Sequence, residues 1–201
     1  TEFIKRVKSG ENLPLITTCC PAWIKFGEQY YFEQLNHMST CRSPQAMMGS
    51  LVKHYYAKKN NIDPKDIVLV DIMPCTAKKY EAAREEFRLD KDIAEVDIVL
   101  TTRELGKMFR QMGIDFEQIK EMEFDNPFGI TTGAAQLFGA TGGVTEAALR
   151  TLSEVLNNEP LKDINFMDVR GLKGIKEAEV DLGGIPVRIA VSHSLSNART
   201  L

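Results

Sequence analysis

The sequence predicts an α/β fold with largely parallel, twisted sheets flanked by helices and with a β-hairpin near the C-terminus. Two apolar runs have the composition of strands, helical patterns follow strand-like runs, and alternating polar and apolar residues surround a Gly-Gly pair near the end. A chain of 201 residues, 43% of them hydrophobic, can bury a sizeable core. We therefore expect one domain over residues 1–201, which can still contain two lobes.

The predicted strands are short, and turn or helix signals follow them. The apolar run "IVLVDIM" (67–73) precedes a proline and is typical of a strand buried on both faces of a parallel sheet. A second run, "VDIVLTT" (96–102), leads into a helix that Thr101 or Thr102 can cap. Upstream, "LPLITT" (13–18) predicts another short strand.

Two further helices and the hairpin complete the prediction. A helix over residues 21–35 begins with a proline, and one over residues 43–60 begins with Ser43 as its cap and Pro44 in its first turn. The segment "AEVDLGGIPVRIAVSH" (178–193) alternates around two glycines, which is typical of a β-hairpin.

The composition disfavours several functions. A net charge of −3 leaves no basic surface for nucleic acid or acidic lipid. No stretch reaches the roughly 18 to 20 consecutive apolar residues of a membrane span, and the first residues are too charged for a signal peptide. The sequence thus predicts no nucleic-acid partner, no membrane span and a cytoplasmic location.

The cysteines are the most informative residues. Cys19, Cys20, Cys41 and Cys75 are too few for a secreted disulfide framework, so we expect reduced thiols with a chemical or metal-binding task. In "TTCCPAW" (17–23) the adjacent cysteines point in different directions, which indicates two separate tasks. Ligands bind at the C-terminal ends of parallel strands, where this pair and Cys75 are expected.

The segment "MPCTAKK" (73–79) is the second candidate site. Cys75 is in the turn before a helix predicted to begin near Thr76, and Lys78 follows in its first turn. Helix amides and a nearby cation stabilise a thiolate, so Cys75 is either a metal ligand or an ordinary buried thiol. An iron-sulfur cluster, which normally takes four cysteines, fits better than zinc, since the sequence has no C-x-x-C pair and no histidine at ligand spacing.

Nucleotide binding is disfavoured. The glycine-rich "FGATGGV" (138–144) has neither the lysine nor the following Ser or Thr of a P-loop, and the chain has no dinucleotide fingerprint. Close backbone packing against a cofactor or helix explains these glycines better than phosphate binding.

Six segments together resemble, in order and spacing, the catalytic domain of the iron-only (diiron) hydrogenases. They are "TTCCPAW", "STCRSPQ", "MPCTAKKYEAAR", "VDIVLTTRELGKM", "FGATGGVTEAALR" and "VRGLKGIKEAEVDLGG", and the resemblance covers essentially all 201 residues. The first and third segments match two of the family's three signature motifs.

The resemblance implies roles for the residues of these two motifs. Cys20 and Cys75 match ligands of the active-site 4Fe-4S cluster, and Cys19 matches the thiol that relays protons to the diiron subcluster. Lys78 matches the lysine that hydrogen-bonds a cyanide ligand of that subcluster, and Met73 matches the methionine that packs beside it.

The resemblance also implies a proton path and a pocket lining. Ser39 and Glu2 match the serine and the outer glutamate of the path, while an inner glutamate would lie just before Thr1. The residues that match the diiron pocket are Ser43, Pro44, Gln45, Phe138 and Gly139. Cys41 matches no required cysteine, so we expect a structural role for it.

The expected function is reversible reduction of protons to dihydrogen, with a ferredoxin-like or nicotinamide-linked electron-transfer partner. The third signature motif, with two more cluster cysteines, does not occur in the sequence. We therefore expect the cofactors to need the remainder of the polypeptide, and this chain alone to be inactive, with no cluster or a labile partial one. The alternatives are a non-catalytic hydrogenase-like iron-sulfur protein, which needs neither Cys19 nor Lys78, and a hydrogen-sensing relative.

Overall fold

The chain divides into two compact units, Thr1–Pro127 and Phe128–Leu201. The computed structural model describes residues 2–129, 133–157, 167–168, 173–182 and 184–201. Each unit is described by itself.

The first unit combines helices with two small sheets. Its helices are α1 (Glu2–Ser9), α2 (Pro21–Tyr30), α3 (Pro44–Ser50), α4 (Ala57–Asn60), α5 (Ala77–Ala82) and α6 (Thr102–Gln111). A π-helical segment (Leu51–Tyr56) joins α3 to α4, and 3₁₀ turns span Phe32–His37, Pro64–Asp66 and Glu85–Phe87. Its strands are β1 (Val70–Met73), β2 (Arg88–Asp90), β3 (Ile93–Ala94) and β4 (Ile98–Thr101).

The sheets confirm the α/β class. Strand β1 pairs in parallel with β4, from Val70 opposite Ile98 to Met73 opposite Thr101, and β2 pairs antiparallel with β3. The strand predicted at 13–18 was wrong in extent, because this extended segment makes a single parallel bridge, Ile16 to Met38.

The predicted burial of the 67–73 strand on both faces was wrong. Val70 and Ile72 on β1 are 43% and 45% exposed, whereas Val99 and Thr101 on β4 are buried. Alternate residues of a strand point to opposite faces. The described residues therefore cover one face of this two-stranded sheet and leave an apolar face open.

Several helix starts follow the sequence signals. The Thr101 side chain accepts from the Glu104 backbone N–H and the Glu104 carboxylate accepts in return, which is a complete capping box for α6. Ser43 caps α3 through the backbone N–H of Ala46, and Pro21 begins α2. The helix predicted over 21–35 ends earlier, at Tyr30, where a 3₁₀ turn follows.

The π-helical segment carries a fully buried cation. Lys53 donates from Nζ to the carbonyl of Pro64 at 3.1 Å and to that of Ile67, and pairs with Asp97 Oδ2 at 2.8 Å. Asp97 Oδ2 also accepts from the Leu69 backbone N–H at 2.7 Å. Because these groups directly precede β1 and β4, Lys53 fixes the start of the parallel pair.

The second unit pairs helices with an antiparallel sheet. Its elements are α7 (Ala134–Leu137), α8 (Gly143–Asn157), β5 (Met167–Asp168), β6 (Ile175–Asp181), β7 (Pro186–Ser192) and α9 (Leu195–Thr200). The strand order β5-β6-β7 is antiparallel and includes the predicted hairpin, whose Gly183 lies outside the described residues. A Cβ on Gly142, which has φ +88°, would lie 3.0 Å from the Val191 side chain, so this glycine serves close packing.

Among the described residues, none of the helices is both long and apolar enough to cross a membrane.

Replacing Lys53 by Met should lower the free energy of unfolding by roughly 3 kcal/mol, because two carbonyls and Asp97 lose a buried cationic donor. Urea unfolding of the full chain measures this. The control is Lys58→Met, an exposed lysine five residues further along the same helical stretch, which should change the stability by less than about 0.5 kcal/mol. Equal effects of the two substitutions would contradict the role given to Lys53.

Candidate metal and proton-transfer site

The adjacent cysteines lie between the extended segment that contains Ile16 and the start of α2 at Pro21. Cys20 has extended backbone angles at the N-cap of α2, directly before Pro21. The Cys19 and Cys20 Sγ atoms are 3.9 Å apart, with Cys19 partly buried and Cys20 exposed. The two thiols therefore contact each other, whereas the sequence predicted that they point in different directions; their separate tasks stay a prediction.

The two thiols differ in acidity. A hydrogen bond from the Cys20 thiol, followed by the positive charge of Lys78, lowers the pKa of Cys19 to about 6 against the opposing effect of burial. The same hydrogen bond raises the pKa of Cys20. Cys19 is therefore the more acidic thiol of the pair.

A buried ion pair joins α5 to this segment. Lys78 Nζ donates to the Cys19 carbonyl at 2.9 Å and to both carboxylate oxygens of Glu81 at 3.0 Å. Both side chains of the pair are at least nine-tenths buried. The Lys78 backbone N–H reaches the carbonyl of Cys75 at 3.3 Å, so Cys75 lies one helical turn from this cation. Met73 ends β1 just before it.

The start of α3 completes the surroundings of the ion pair. Ser43 Oγ donates to Glu81 Oε1, and Gln45 Nε2 donates to the Lys78 carbonyl at 3.1 Å. Pro44, between them, occupies the first turn of α3. The structure thus gathers Cys19, Cys20, Cys75, Lys78, Ser43 and Gln45 around three elements of the first unit.

Glu81 is a site residue that sequence reasoning missed. Its spacing of three residues from Lys78 was an available signal, since such pairs share a helix face. Asp71 on β1 was also missed: its Oδ2 is buried, no partner for it occurs in the described residues, and burial raises its pKa. The Trp23 indole N–H is similarly unpaired within that part of the chain.

The predicted outer proton path forms a second cluster at α1. Ser39 Oγ donates to Glu2 Oε2 at 2.6 Å, and the backbone N–H of Thr40 donates to the same carboxylate. Arg6 pairs with Glu2 at 2.7 Å and also donates to the Met38 carbonyl. Burial opposes ionisation of Glu2, but these hydrogen bonds outweigh it and lower its pKa to about 2.

A cleft of about 310 Å³ adjoins both clusters. Ser39 and Cys41 line it near Glu2, and Ser43 and Glu81 line it near Lys78. Cys41 is exposed, with its Sγ 3.7 Å from Glu2 Oε2.

The remaining predicted residues, Phe138 and Gly139, lie in the second unit. Phe138 follows α7 and is 42% exposed, and Gly139 is exposed next to it. Their role in a diiron pocket stays a prediction.

The donor set fits one side of an iron-sulfur group. Cys20 follows the residue whose carbonyl accepts from the buried Lys78 ammonium, and Cys75 lies three residues before Lys78 on the same turn. No three His, Cys, Asp or Glu side chains in that part of the chain gather to hold a metal ion. Since a 4Fe-4S cluster normally takes four cysteines, these two thiols would supply part of its ligands.

Comparison with known proteins decides the family. The sequence matches the family described as the iron only hydrogenase large subunit, C-terminal domain, over residues 1–201. The chain belongs to this family. The cysteines and Lys78 of this chain can therefore be compared with the site residues of the iron-only hydrogenases.

Relatives and solved structures agree with this membership. Subunit HndD of the NADP-reducing hydrogenase of Solidesulfovibrio fructosivorans is 49% identical over all of this chain, which spans 35% of that protein. The cytosolic Fe-S cluster assembly factor narfl of Xenopus tropicalis is 31% identical over the whole chain, which spans 44% of it. A variant of apo [FeFe]-hydrogenase HydA1 from Chlamydomonas reinhardtii superposes with a TM-score of 0.86 at 39% identity, over 99% of this chain and 58% of that one.

The Glu2 carboxylate should stabilise the fold of this family member in a pH-dependent way. Its pKa of about 2 lies below the ordinary 4.5, so its contribution is complete above pH 4.5 and is lost as the pH falls through 2. Glu2→Gln should lower the free energy of unfolding at pH 7 by roughly 1–2 kcal/mol, and the deficit should shrink as the pH approaches 2.

Urea unfolding at pH 7 and at low pH measures the difference, with the exposed Glu11→Gln as the matched control. A deficit that is the same at both pH values would show that the ionised carboxylate is not the stabilising species.

Proposed function

We propose that this chain supplies part of the active site of an iron-only hydrogenase, which reversibly reduces protons to dihydrogen at a diiron centre linked to a 4Fe-4S cluster. The observation that carries the proposal is the buried Lys78 ammonium, which touches the Cys19 carbonyl one helical turn from Cys75. Such a cation beside two separate thiol positions suits an anionic iron-sulfur group. Because the chain spans about a third of its HndD relative, the proposal concerns the complete protein.

Cys20 and Cys75 would hold the iron-sulfur cluster, and its other ligands would come from outside this chain. When bound, the group would relay electrons to and from the electron-transfer partner and provide the iron site at which protons and dihydrogen interconvert. The chain's own residues hold this group, position it and move protons.

Lys78 would exchange one of its two hydrogen bonds to Glu81 for one to an anionic ligand of the diiron subcluster. In a dry site such a charge-assisted hydrogen bond is strong, but the long lysine side chain must be held in place. Glu81 and the Cys19 carbonyl hold it, and Ser43 in turn holds Glu81. Met73 would pack beside the subcluster, and Pro44 and Gln45 would line its pocket.

Cys19 would carry the proton to and from the group. Its lowered pKa depends first on the hydrogen bond from the Cys20 thiol. If Cys20 binds iron as a thiolate, it has no proton to donate, and Cys19 loses the hydrogen bond that contributes most to lowering its pKa. Metal binding at one cysteine thus prepares its neighbour as a proton carrier.

Ser39 and Glu2 would form the outer end of the proton path. With a pKa of about 2, Glu2 is ionised at neutral pH and accepts the hydrogen bond from Ser39. A proton that reaches Glu2 is therefore released readily to water. Arg6 keeps the carboxylate in this position.

The electron partner is proposed to be ferredoxin-like or nicotinamide-linked, and the location to be cytoplasmic. The name of the HndD relative, an NADP-reducing hydrogenase subunit, supports the nicotinamide-linked alternative.

The second candidate is a non-catalytic iron-sulfur protein, favoured by the 31% identity to the cluster assembly factor narfl. Such a protein needs the cluster ligands but has no use for a proton-carrying thiol at Cys19 or a buried donor at Lys78. Both residues occur here and touch each other, which supports the hydrogenase. A hydrogen sensor would keep the same site, but Ser39 and Glu2 on a proton path support turnover.

Substitutions in the complete, iron-loaded protein separate the two cysteine roles. Cys19→Ser should keep the iron and lower dihydrogen turnover at least about 100-fold, because a serine hydroxyl gives up its proton far less readily. Cys20→Ala and Cys75→Ala should each lower the iron content. Cys41→Ala is the matched control for iron content and should leave it unchanged.

Iron analysis and a dihydrogen assay give the two readouts. Loss of iron from Cys19→Ser would contradict the assignment of the pair. A wild-type protein that holds iron and shows no dihydrogen turnover would favour the assembly function instead.

A further inference from the structure

A small cavity lies inside the first unit, behind the Lys78–Glu81 pair. Its volume of about 10 Å³ is close to the space that one buried water molecule needs. The lining includes Gln45 of α3, Glu81 and Ala82 of α5, and Glu95 just before β4. The three polar side chains are each at least 95% buried.

Gln45, which lines this cavity, has a side-chain carbonyl without a hydrogen-bond partner among the described residues. Gln45 Nε2 donates to the Lys78 backbone, whereas Gln45 Oε1 is buried and has no partner in the described part of the chain. Buried side-chain oxygens in proteins are normally hydrogen-bonded to protein or to ordered water. An unpaired Gln45 Oε1 at the edge of a water-sized cavity therefore points to a ligand with a hydrogen to donate.

The two carboxylates that line the cavity are already compensated by cations. Glu81 accepts from Lys78 Nζ, and Glu95 accepts from Arg42 Nη1. His54 Nε2, on an exposed side chain, lies 3.7 Å from the other Glu95 oxygen. Because the charges are paired, a neutral ligand suits the cavity better than a further cation.

We propose that this cavity binds a single water molecule, which donates one hydrogen to Gln45 Oε1 and the other to a carboxylate oxygen of Glu81 or Glu95. A water has two hydrogens to donate, and the cavity offers acceptors on three side chains. The water thus joins Gln45, which holds the Lys78 backbone, to one of these two carboxylates.

The proposed water would help to fix the position of Lys78. Gln45 holds the backbone of Lys78, and the water holds Gln45 from its other end, so the water fixes the turn from which Lys78 reaches Cys19. This consequence rests on the proposed function, but the water site itself rests on the contacts of the first unit alone. Its test therefore involves neither iron nor turnover.

The direct test is a crystal structure of the complete protein at 1.5 Å or better, a resolution that ordered waters in well-packed interiors require. An ordered water within about 3.2 Å of Gln45 Oε1 is the expected result. A cavity that is empty at that resolution, or a Gln45 side chain that pairs directly with protein, would overturn the proposal.

A pair of isosteric substitutions tests the same point in solution. Ala82→Thr and Ala82→Val fill the cavity with side chains of equal size, but only threonine brings a hydroxyl that can replace the water as donor. Ala82→Thr should therefore have a folding equilibrium constant about five- to tenfold larger than Ala82→Val.

The control repeats the pair at Ala83, an exposed neighbour at the end of the same helix, where the two variants should agree within about twofold. Threonine and valine have nearly the same size, so any overpacking lowers the stability of both Ala82 variants equally. The difference in stability between the two variants therefore reports on the hydroxyl. A valine variant at least as stable as the threonine variant would show an apolar, dry cavity and would overturn the proposal. If neither variant folds, the crystal structure of the unsubstituted protein decides between a bound water and an empty cavity.

Discussion

The buried ammonium of Lys78 is the constraint on which the rest of the candidate site depends. A charge taken out of water is costly unless it is paired and hydrogen-bonded, so Lys78 requires both Glu81 and the Cys19 carbonyl. Meeting this requirement fixes α5 against the segment that leads into α2. Cys75 one turn earlier and Cys20 one residue after Cys19 are thereby held by the same ion pair.

The site separates two electrostatic tasks in one unit. Around Lys78 the charges are buried and paired, which suits the holding of a group in a fixed position. Around Glu2 the carboxylate is ionised, strongly hydrogen-bonded and close to solvent, which fits the proton transfer proposed for it. One cleft adjoins both the residues around Lys78 and the residues around Glu2.

Local signals in the sequence predicted much of the fold and the chemistry. The capping box of α6, the proline at the start of α2 and the C-terminal hairpin each depend on a few neighbouring residues.

Contacts between residues that are far apart in the sequence could not be predicted from local patterns. Ser43 meets Glu81 across 38 residues, and no local pattern marks Glu81 as its partner. The apolar composition of residues 67–73 indicated a strand, but it cannot tell whether both faces are covered. The segment 13–18 has strand-like residues, yet its pairing depends on the distant Met38, which provides a single bridge.

Anomalous diffraction at the iron edge from crystals of the complete protein tests the central claim most directly. The account predicts iron peaks within bonding distance of the sulfurs of Cys20 and Cys75, with the amine of Lys78 turned toward the metal group. Iron bound away from these two sulfurs, or no iron next to the Lys78–Glu81 pair, would contradict it.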